Sequence, residues 1–455
     1  MAVSESGHGV EFLAGDAFYD YILNDLFLPA VADTVITPNT LLERLPRDRE
    51  RVEGKNVVFP IHIGRNIGVN AIGAGGDLPD PGQQDYNQYR FPVRHVYGRV
   101  KFDGITADAS NTQMASWLKA IESEVKGLAI DMSRYKQRAY HLEGSGIIGQ
   151  IHYDLQSNAG GGVTFIEGDT DDALELVDAW PESTENQCPQ LKLTKYLRVG
   201  QRVALIRTDT GAIASTVPTS VITAVDRTEG AESITLDPAV VTGEANQEYW
   251  LVQVSNDDAG VSVLDSAYNV EPMGIAGIVD DGNPNNGNLQ NIDATAAANE
   301  WHRSTVQTAA NDRAVSLALM DNAFTTAMEV GDAAPTALLT SFGVSRAYAM
   351  LLLADRQFVG TTEYDGGYKA LDYNGVPVIA DRDCLNNRIY FLHEPDLRIY
   401  VMSDPQWMNK DGAIYHRIDD KDAYQATLYC RETMGTDVRD KHVLLAAILE
   451  DSLTP

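Results

Sequence analysis

Between residues 114 and 142 the apolar positions keep one rhythm. Met114, Leu118, Ile121, Val125, Leu128, Met132, Tyr135, Ala139 and Leu142 are separated alternately by four and three residues. That spacing lays a single stripe on a helix and predicts one long helix over about 110–143, roughly 50 Å at 1.5 Å per residue. A 3.5-residue repeat also suits a coiled coil. Here Trp117 and Ala129 widen the stripe, and Glu122 and Glu124 share one end without facing lysines. A broad stripe favours packing on a sheet or on several elements over a two-helix seam.

Ahead of this helix the runs change to β-branched and aromatic residues. "GKNVVFPIHI" (54–63) and "RFPVRHVYGRVKF" (90–102) read as strands bracketing a glycine- and proline-rich stretch, "NAIGAGGDLPDPGQQDYNQYRFP" (70–92). The two runs predict a hairpin of about 50 residues, far beyond an ordinary turn. A two-stranded ribbon of that size cannot bury its own faces, so it needs a partner surface, within the chain or from a neighbour. Nearer the start, "DAFYDYILNDLFLPAV" (16–31) places Phe18, Ile22 and Leu26 four apart on one face of a short amphipathic helix ended by Pro29.

After the long helix, "LEGSGIIGQI" (142–151) carries Gly144 and Gly146, a helix stop in the left-handed region, and an acidic, glycine-rich connector follows. Residues 191–256 alternate β-branched runs with turn signals every ten or so residues, a small all-β unit inserted in the main fold. Helical patterns follow at 301–328 (Val306, Leu317, Met320, Phe324) and 344–358. The strands "NRIYFLH", "DLRIYVMS", "YQATLYCRETMG" and "KHVLLAAIL" close the chain. The order of elements predicts an α+β fold.

With 455 residues the chain has ample material for a buried core and for two to four compact units. Its formal net charge of −30 argues against nucleic-acid binding through a basic face. No Lys or Arg occurs between Thr228 and His302, or between His152 and Leu191. Those acidic segments are expected to face solvent. Cys188, Cys384 and Cys430 are odd in number and far apart, which predicts reduced thiols and neither a disulfide framework nor a CxxC metal site. No signal-peptide pattern and no run of about 18 apolar residues occurs, so no membrane association is expected.

Candidate chemistry is sparse. The GAGG cluster at 73–76 is followed by Asp77, Pro79, Asp80 and Pro81 and by no helix. A phosphate loop needs converging N–H donors at a helix N-terminus, so this stretch is not read as one. Ser145 follows a helix and not a strand, which excludes a nucleophile elbow. Asp281, Asn283 and Asn285 alternate as in a calcium loop, but the glycine falls one place late and no Glu closes the set, leaving a solvated turn. His62, His95, His141, His152, His302, His393, His416 and His442 are scattered singly and read as packed or surface residues. No catalytic, cofactor-binding or metal site is assigned, and no enzyme activity is expected. A hydrolase with an unrecognised pair of carboxylates stays as a rival reading.

Taken in order, a helical arm, an oversized hairpin, a long helix, a β insertion and a helix-and-strand domain resemble the major capsid protein of tailed phages, with the Hong Kong 97-like capsid fold. The carrying stretches are "VEGKNVVFPIHIGRNIGVNAIGAGGDLPDPGQQDYNQYRFPVRHVYGRVKF", "SRYKQRAYHLEGSGIIGQI" and "YNGVPVIADRDCLNNRIYFLHEPDLRIYV". The resemblance implies an N-terminal arm at 1–50, an extended loop at 51–104, a peripheral domain with its spine helix at 105–150, an acidic connector and β insertion at 151–261, an axial domain at 262–396, and peripheral return strands at 397–455. It implies homo-oligomeric hexamers and pentamers of an icosahedral shell that encloses double-stranded DNA without sequence-specific contacts. It implies a virion protein assembled in the host cytoplasm, with portal and decoration proteins as further partners.

Inter-subunit contacts are expected through Phe18, Ile22 and Leu26 of the arm and through Gly73, Gly75, Gly76, Asp77, Leu78, Tyr86 and Tyr89 of the loop. The glycines would act as hinges, and Pro79 and Pro81 would blunt the tip against stray strand pairing. Some relatives cross-link a loop lysine to a neighbour's asparagine; residues 64–94 contain no lysine, so no such bond is expected. The chain reaches the arm almost at once, so a separate scaffolding protein is expected. An encapsulin-like shell around an enzyme cargo shares the fold and remains an alternative, separated by shell content.

Overall fold

The long helix is present as Met114–His141 in a computed structural model of the chain. The structure describes residues 40–103, 114–153, 196–207, 219–226, 233–237, 247–254, 269–281, 289–309, 313–354, 362–363, 369–409 and 412–449, apart from isolated positions within these ranges. The predicted helix at 16–31 lies outside them. The fold is mixed α/β and divides into two compact units.

The first unit draws on the described parts of Met1–Lys55, Val93–Arg138 and Ile399–Thr433. Its sheet is centred on the strand Ala423–Thr436, which pairs antiparallel with Arg94–Asp103 and neighbours Leu397–Trp407. Arg47–Asp48 adds to Leu397–Trp407 in parallel. The long helix lies on this sheet: Ala129 and Met132 are buried with Val96, Val100, Trp407, Ala426, Leu428 and Cys430. Gly98 leaves room for Leu128, whose Cδ1 would stand 2.8 Å from any Cβ placed there. Within that interface Lys136 and Glu432, both buried, form an ion pair. The broad stripe is therefore used against a sheet, as its width predicts.

The strand-like run at 90–102 is divided between two sheets. Asp85–Pro92 pairs antiparallel with Asn56–Gly64, whereas Arg94–Asp103 pairs with Ala423–Thr436. Pro92 has no N–H to continue a ladder, and the next donor, Val93 N–H, goes to Lys55 O at 3.0 Å. The expected 50-residue hairpin is thus a shorter one, Asn56–Pro92, and that segment falls in the second unit.

The second unit also holds Ala139–Arg398 and Met434–Pro455, as far as they are described. Its five-stranded antiparallel sheet runs in the order 147–153, 247–253, 202–207, 220–226, 233–237. The predicted all-β segment therefore recruits Ile147–Tyr153 as an edge strand. Val203 and Leu205 belong to one apolar cluster, Ala204 and Ile206 to another, so this sheet buries side chains on both faces.

The larger sheet is seven-stranded and mixed, in the order 305–307, 443–445, 389–392, 337–340, 376–380, 369–373, 362–363. Val443–Leu445, from the end of the chain, sits inside it between Thr305–Gln307 and Ile389–Leu392. Helices Leu317–Gly331 and Phe342–Ala354 pack on it through Met320, Ala323, Ala327, Val344, Tyr348 and Leu352. The helix expected from 301 begins only at Leu317. Val306 lies in a strand, and Ser316 caps the helix by accepting the Leu319 N–H at 3.3 Å. Asn374 and Gly375, both at positive φ, make the two-residue turn joining Lys369–Tyr373 to Val376–Ala380. Gly144 and Gly146 take φ of +84° and +82°, the left-handed stop expected after the long helix.

Candidate assembly surface

The hairpin changes character halfway along its length. In its lower half Val57, Phe59, Tyr89 and Phe91 alternate with outward-facing residues and are buried, as a period of two requires. Phe59 meets the rings of Tyr89 and Phe91 edge-on, at centroid distances of 5.3 and 6.4 Å. Beyond the Pro60–Gln88 pair burial ceases, although the strands continue to Gly64 and Asp85.

Tyr89 fastens the stem. It is 1% exposed, packs its ring at a tilt against His302 with centroids 5.2 Å apart, and donates its hydroxyl hydrogen to His302 Nδ1 at 2.9 Å. His302 Nε2–H donates in turn to Leu289 O at 3.1 Å, so the ring is neutral with Nδ1 as acceptor. Burial, helped by the nearby Arg439 charge, lowers the His302 pKa to about 4. Burial also raises the Tyr89 hydroxyl above its usual range.

Arg439 is the largest fully buried side chain among the described residues. It donates from Nε to Ile278 O (2.6 Å), from Nη1 to His302 O (3.2 Å) and from Nη2 to Gly277 O (3.3 Å). Burial pulls its pKa down to about 10, against the opposing field of Asp280. Three main-chain carbonyls, two from the short helix Ile275–Ile278 and one from the end of the 3-10 helix Ala297–His302, are thus gathered by one planar cation. Trp301, whose ring lies 6.5 Å from that of Tyr89, joins His302 and Arg439 in carrying no pattern that ties it to the hairpin. Single residues at the end of the short 3-10 helix Ala297–His302 and in the turn between Ala423–Thr436 and Val443–Leu445 have no periodicity to read.

The distal half offers the opposite chemistry. Val69 (84% exposed), Leu78 (85%) and Tyr86 (65%), with Ile72, present apolar surface that no described residue covers. Tyr86 leans on His62 at 5.1 Å, and His62 Nε2 contacts Gln84 Oε1 at 2.5 Å, a partial brace across the strands. Gly76 N–H bonds Gly73 O at 3.0 Å in a tight turn.

Of the residues expected at inter-subunit contacts, Leu78, Tyr86, Asp77, Gly73 and Gly76 fall on this exposed half. Neither Gly73 nor Gly76 adopts a positive φ; at Gly76 what glycine supplies is space, since a Cβ would stand 2.7 Å from Ile72 Cγ2. Tyr89 is spent inside its own unit and has no surface for a neighbour. Gly75 and Pro79, like Phe18, Ile22 and Leu26, lie outside the described residues.

Cys384 and Cys430 are buried thiols outside any disulfide, and Cys384 Sγ–H donates to Leu385 O at 3.5 Å. Burial raises the Cys430 thiol to about 12, with Glu432 adding to the shift. Cys188 and most of the loop 281–287 lie outside the described residues. Among those that are described, no group of three His, Cys, Asp or Glu residues is placed to hold a metal ion. No described helix is long and apolar enough to cross a membrane.

No protein-family model matches the chain, and no curated protein sequence does. Solved structures similar to it include capsid and encapsulin chains. The cyanophage A-1(L) capsid asymmetric unit has 12% identity and a TM-score of 0.46, with 96% of this chain and 97% of that one covered. The capsid of a native GTA particle has 9% identity and a TM-score of 0.41, covering 99% and 96%. The SrpI encapsulin of Synechococcus elongatus PCC 7942 has 10% identity and a TM-score of 0.39, covering 91% and 88%. Phage capsid chains are thus among the solved structures to which this fold is similar over nearly its whole length.

Proposed function

We propose that this chain is the major capsid protein of a tailed phage, building an icosahedral shell of hexamers and pentamers around double-stranded DNA. One observation carries the reading: a hairpin anchored at its base by a buried Tyr89–His302 pair whose outer half exposes Val69, Ile72, Leu78 and Tyr86. An apolar ribbon edge without cover is a liability in a free monomer, and a second copy supplies the missing surface. In a shell each subunit repeats that contact, so modest interfaces sum to a stable particle.

In this reading Asn56–Pro92 is the extended loop and Met114–His141 the spine helix of the peripheral domain, with Arg94–Asp103, Leu397–Trp407 and Ala423–Thr436 as its strands. The seven-stranded sheet with its two helices forms the axial domain, and the five-stranded sheet is the insertion. The net charge of −30 suits a container wall, since weak repulsion keeps packaged DNA from adhering. Scaffolding, portal and decoration proteins would be separate chains.

The test is negative-stain electron microscopy of the purified protein, alone and with a co-expressed scaffolding candidate. Rings or closed shells are the expected result, and shells from infected cells should contain DNA. Persistent monomers under every condition would defeat the reading. Shells filled with a protein cargo and free of DNA would favour the encapsulin alternative.

A further inference from the structure

An open cleft of about 460 Å³ lies in the second unit, between the start of helix Leu317–Gly331, helix Phe342–Ala354 and the Asn374–Gly375 turn. Its volume falls within the roughly 300–1,000 Å³ typical of ligand sites. Leu317 and Leu352 supply apolar surface, Tyr348 and Tyr373 aromatic walls, and Asp321 and Asp372 two carboxylates; none of its described lining residues is a Lys or Arg. The two tyrosine rings stand edge to face at 6.4 Å. Tyr348 donates its hydroxyl to the main-chain oxygen of Asp372 at 3.2 Å, so that hydroxyl is not available to the Asp372 carboxylate.

Asp372 Oδ1 is closed off from solvent and has no hydrogen-bond partner among the described residues. A buried acceptor without a donor is uncommon in folded proteins, and a turn of the Asp372 carboxylate about its Cβ–Cγ bond would bring this oxygen to a donor in the cleft. The cleft is also electronegative. Burial raises both tyrosine hydroxyls, Tyr348 to about 12, and the nearby charges reinforce this, Asp372 on Tyr348 and Asp321 on Tyr373.

We propose that this cleft receives an arginine side chain from an extended segment of a partner protein. A guanidinium group is planar, stacks on a tyrosine face and carries several N–H donors in a fixed fork, so its chemistry matches both the aromatic walls and the carboxylates. An ammonium group has no plane to stack, and a neutral side chain leaves the negative field uncompensated. The inference concerns a surface separate from the hairpin and stands whether or not the chain builds a shell.

Isothermal titration of the full-length protein with acetyl-Gly-Arg-Gly-amide tests it, against the same peptide with neutral citrulline in place of arginine. The arginine peptide should bind at least tenfold more tightly, and its affinity should fall several-fold on raising the salt. Asp321→Asn, at an exposed position, and Asp372→Asn, of unchanged shape, should each weaken it about fivefold or more, with circular dichroism unaltered. Equal binding of the two peptides, binding unaffected by either substitution, or no binding of the arginine peptide would overturn the proposal. Tighter binding of spermidine than of the arginine peptide, lost in both variants, would overturn it in favour of a polyamine site.

Discussion

His442 shows what a single buried residue decides. It accepts the His393 main-chain N–H at Nδ1 (3.2 Å) and meets the Thr436 hydroxyl at Nε2 (3.2 Å), which requires a neutral ring. Burial lowers its pKa to about 3, against the partly opposing field of Asp396, while His302 is lowered to about 4. Unfolded, both histidines titrate near 6.5, so the unfolded chain binds protons first as the pH falls. Stability should therefore decline from about pH 6.5 down to about pH 4, each histidine adding up to ~1.4 kcal/mol per pH unit. Urea titrations across that range should show the decline, and His442→Gln should flatten it. Arg439 makes the complementary case. Arg439→Met would remove the guanidinium donors to the carbonyls of Ile278, His302 and Gly277 and should cost about 3 kcal/mol or more by urea denaturation, with Arg439→Lys recovering part.

Among elements, the contrast between two glycines separates rigid from yielding contacts. A methyl group on Gly274 would land on the carbonyl oxygens of Leu142 and Ala139, backbone at the end of the long helix that cannot move aside. Gly274→Ala should lower stability by at least ~3 kcal/mol or prevent folding. At Gly98 the obstacle is the Leu128 side chain, which can change rotamer, so Gly98→Ala should cost about 1 kcal/mol in the same assay. The long helix was legible from its repeat because a single face of nine apolar residues has no alternative use. The helix at 301–328 was misplaced because Val306 and Leu317 fit a helical spacing by coincidence, while the Val443–Leu445 strand, far along the chain, claims Thr305–Gln307.

For the molecule as a whole, the division of labour within the hairpin predicts a separation of folding from assembly. Val69→Asp combined with Leu78→Asp changes two side chains that touch little of their own chain. Urea stability should shift by less than ~0.5 kcal/mol, while shells disappear from electron micrographs. If assembly survives, the exposed half of the hairpin is not the contact.

Local periodicity and turn glycines were enough to determine the long helix, the strand-rich stretch after it, the glycine stop after residue 141 and the presence of an oversized ribbon, because each depends on neighbouring residues alone. Tertiary structure decided that Pro92 divides one strand-like run between two sheets, that Tyr89 turns inward onto His302, and that Arg439 ties three distant carbonyls together. Those outcomes depend on partners more than a hundred residues away, and burial of a polar group becomes affordable only where such a partner arrives.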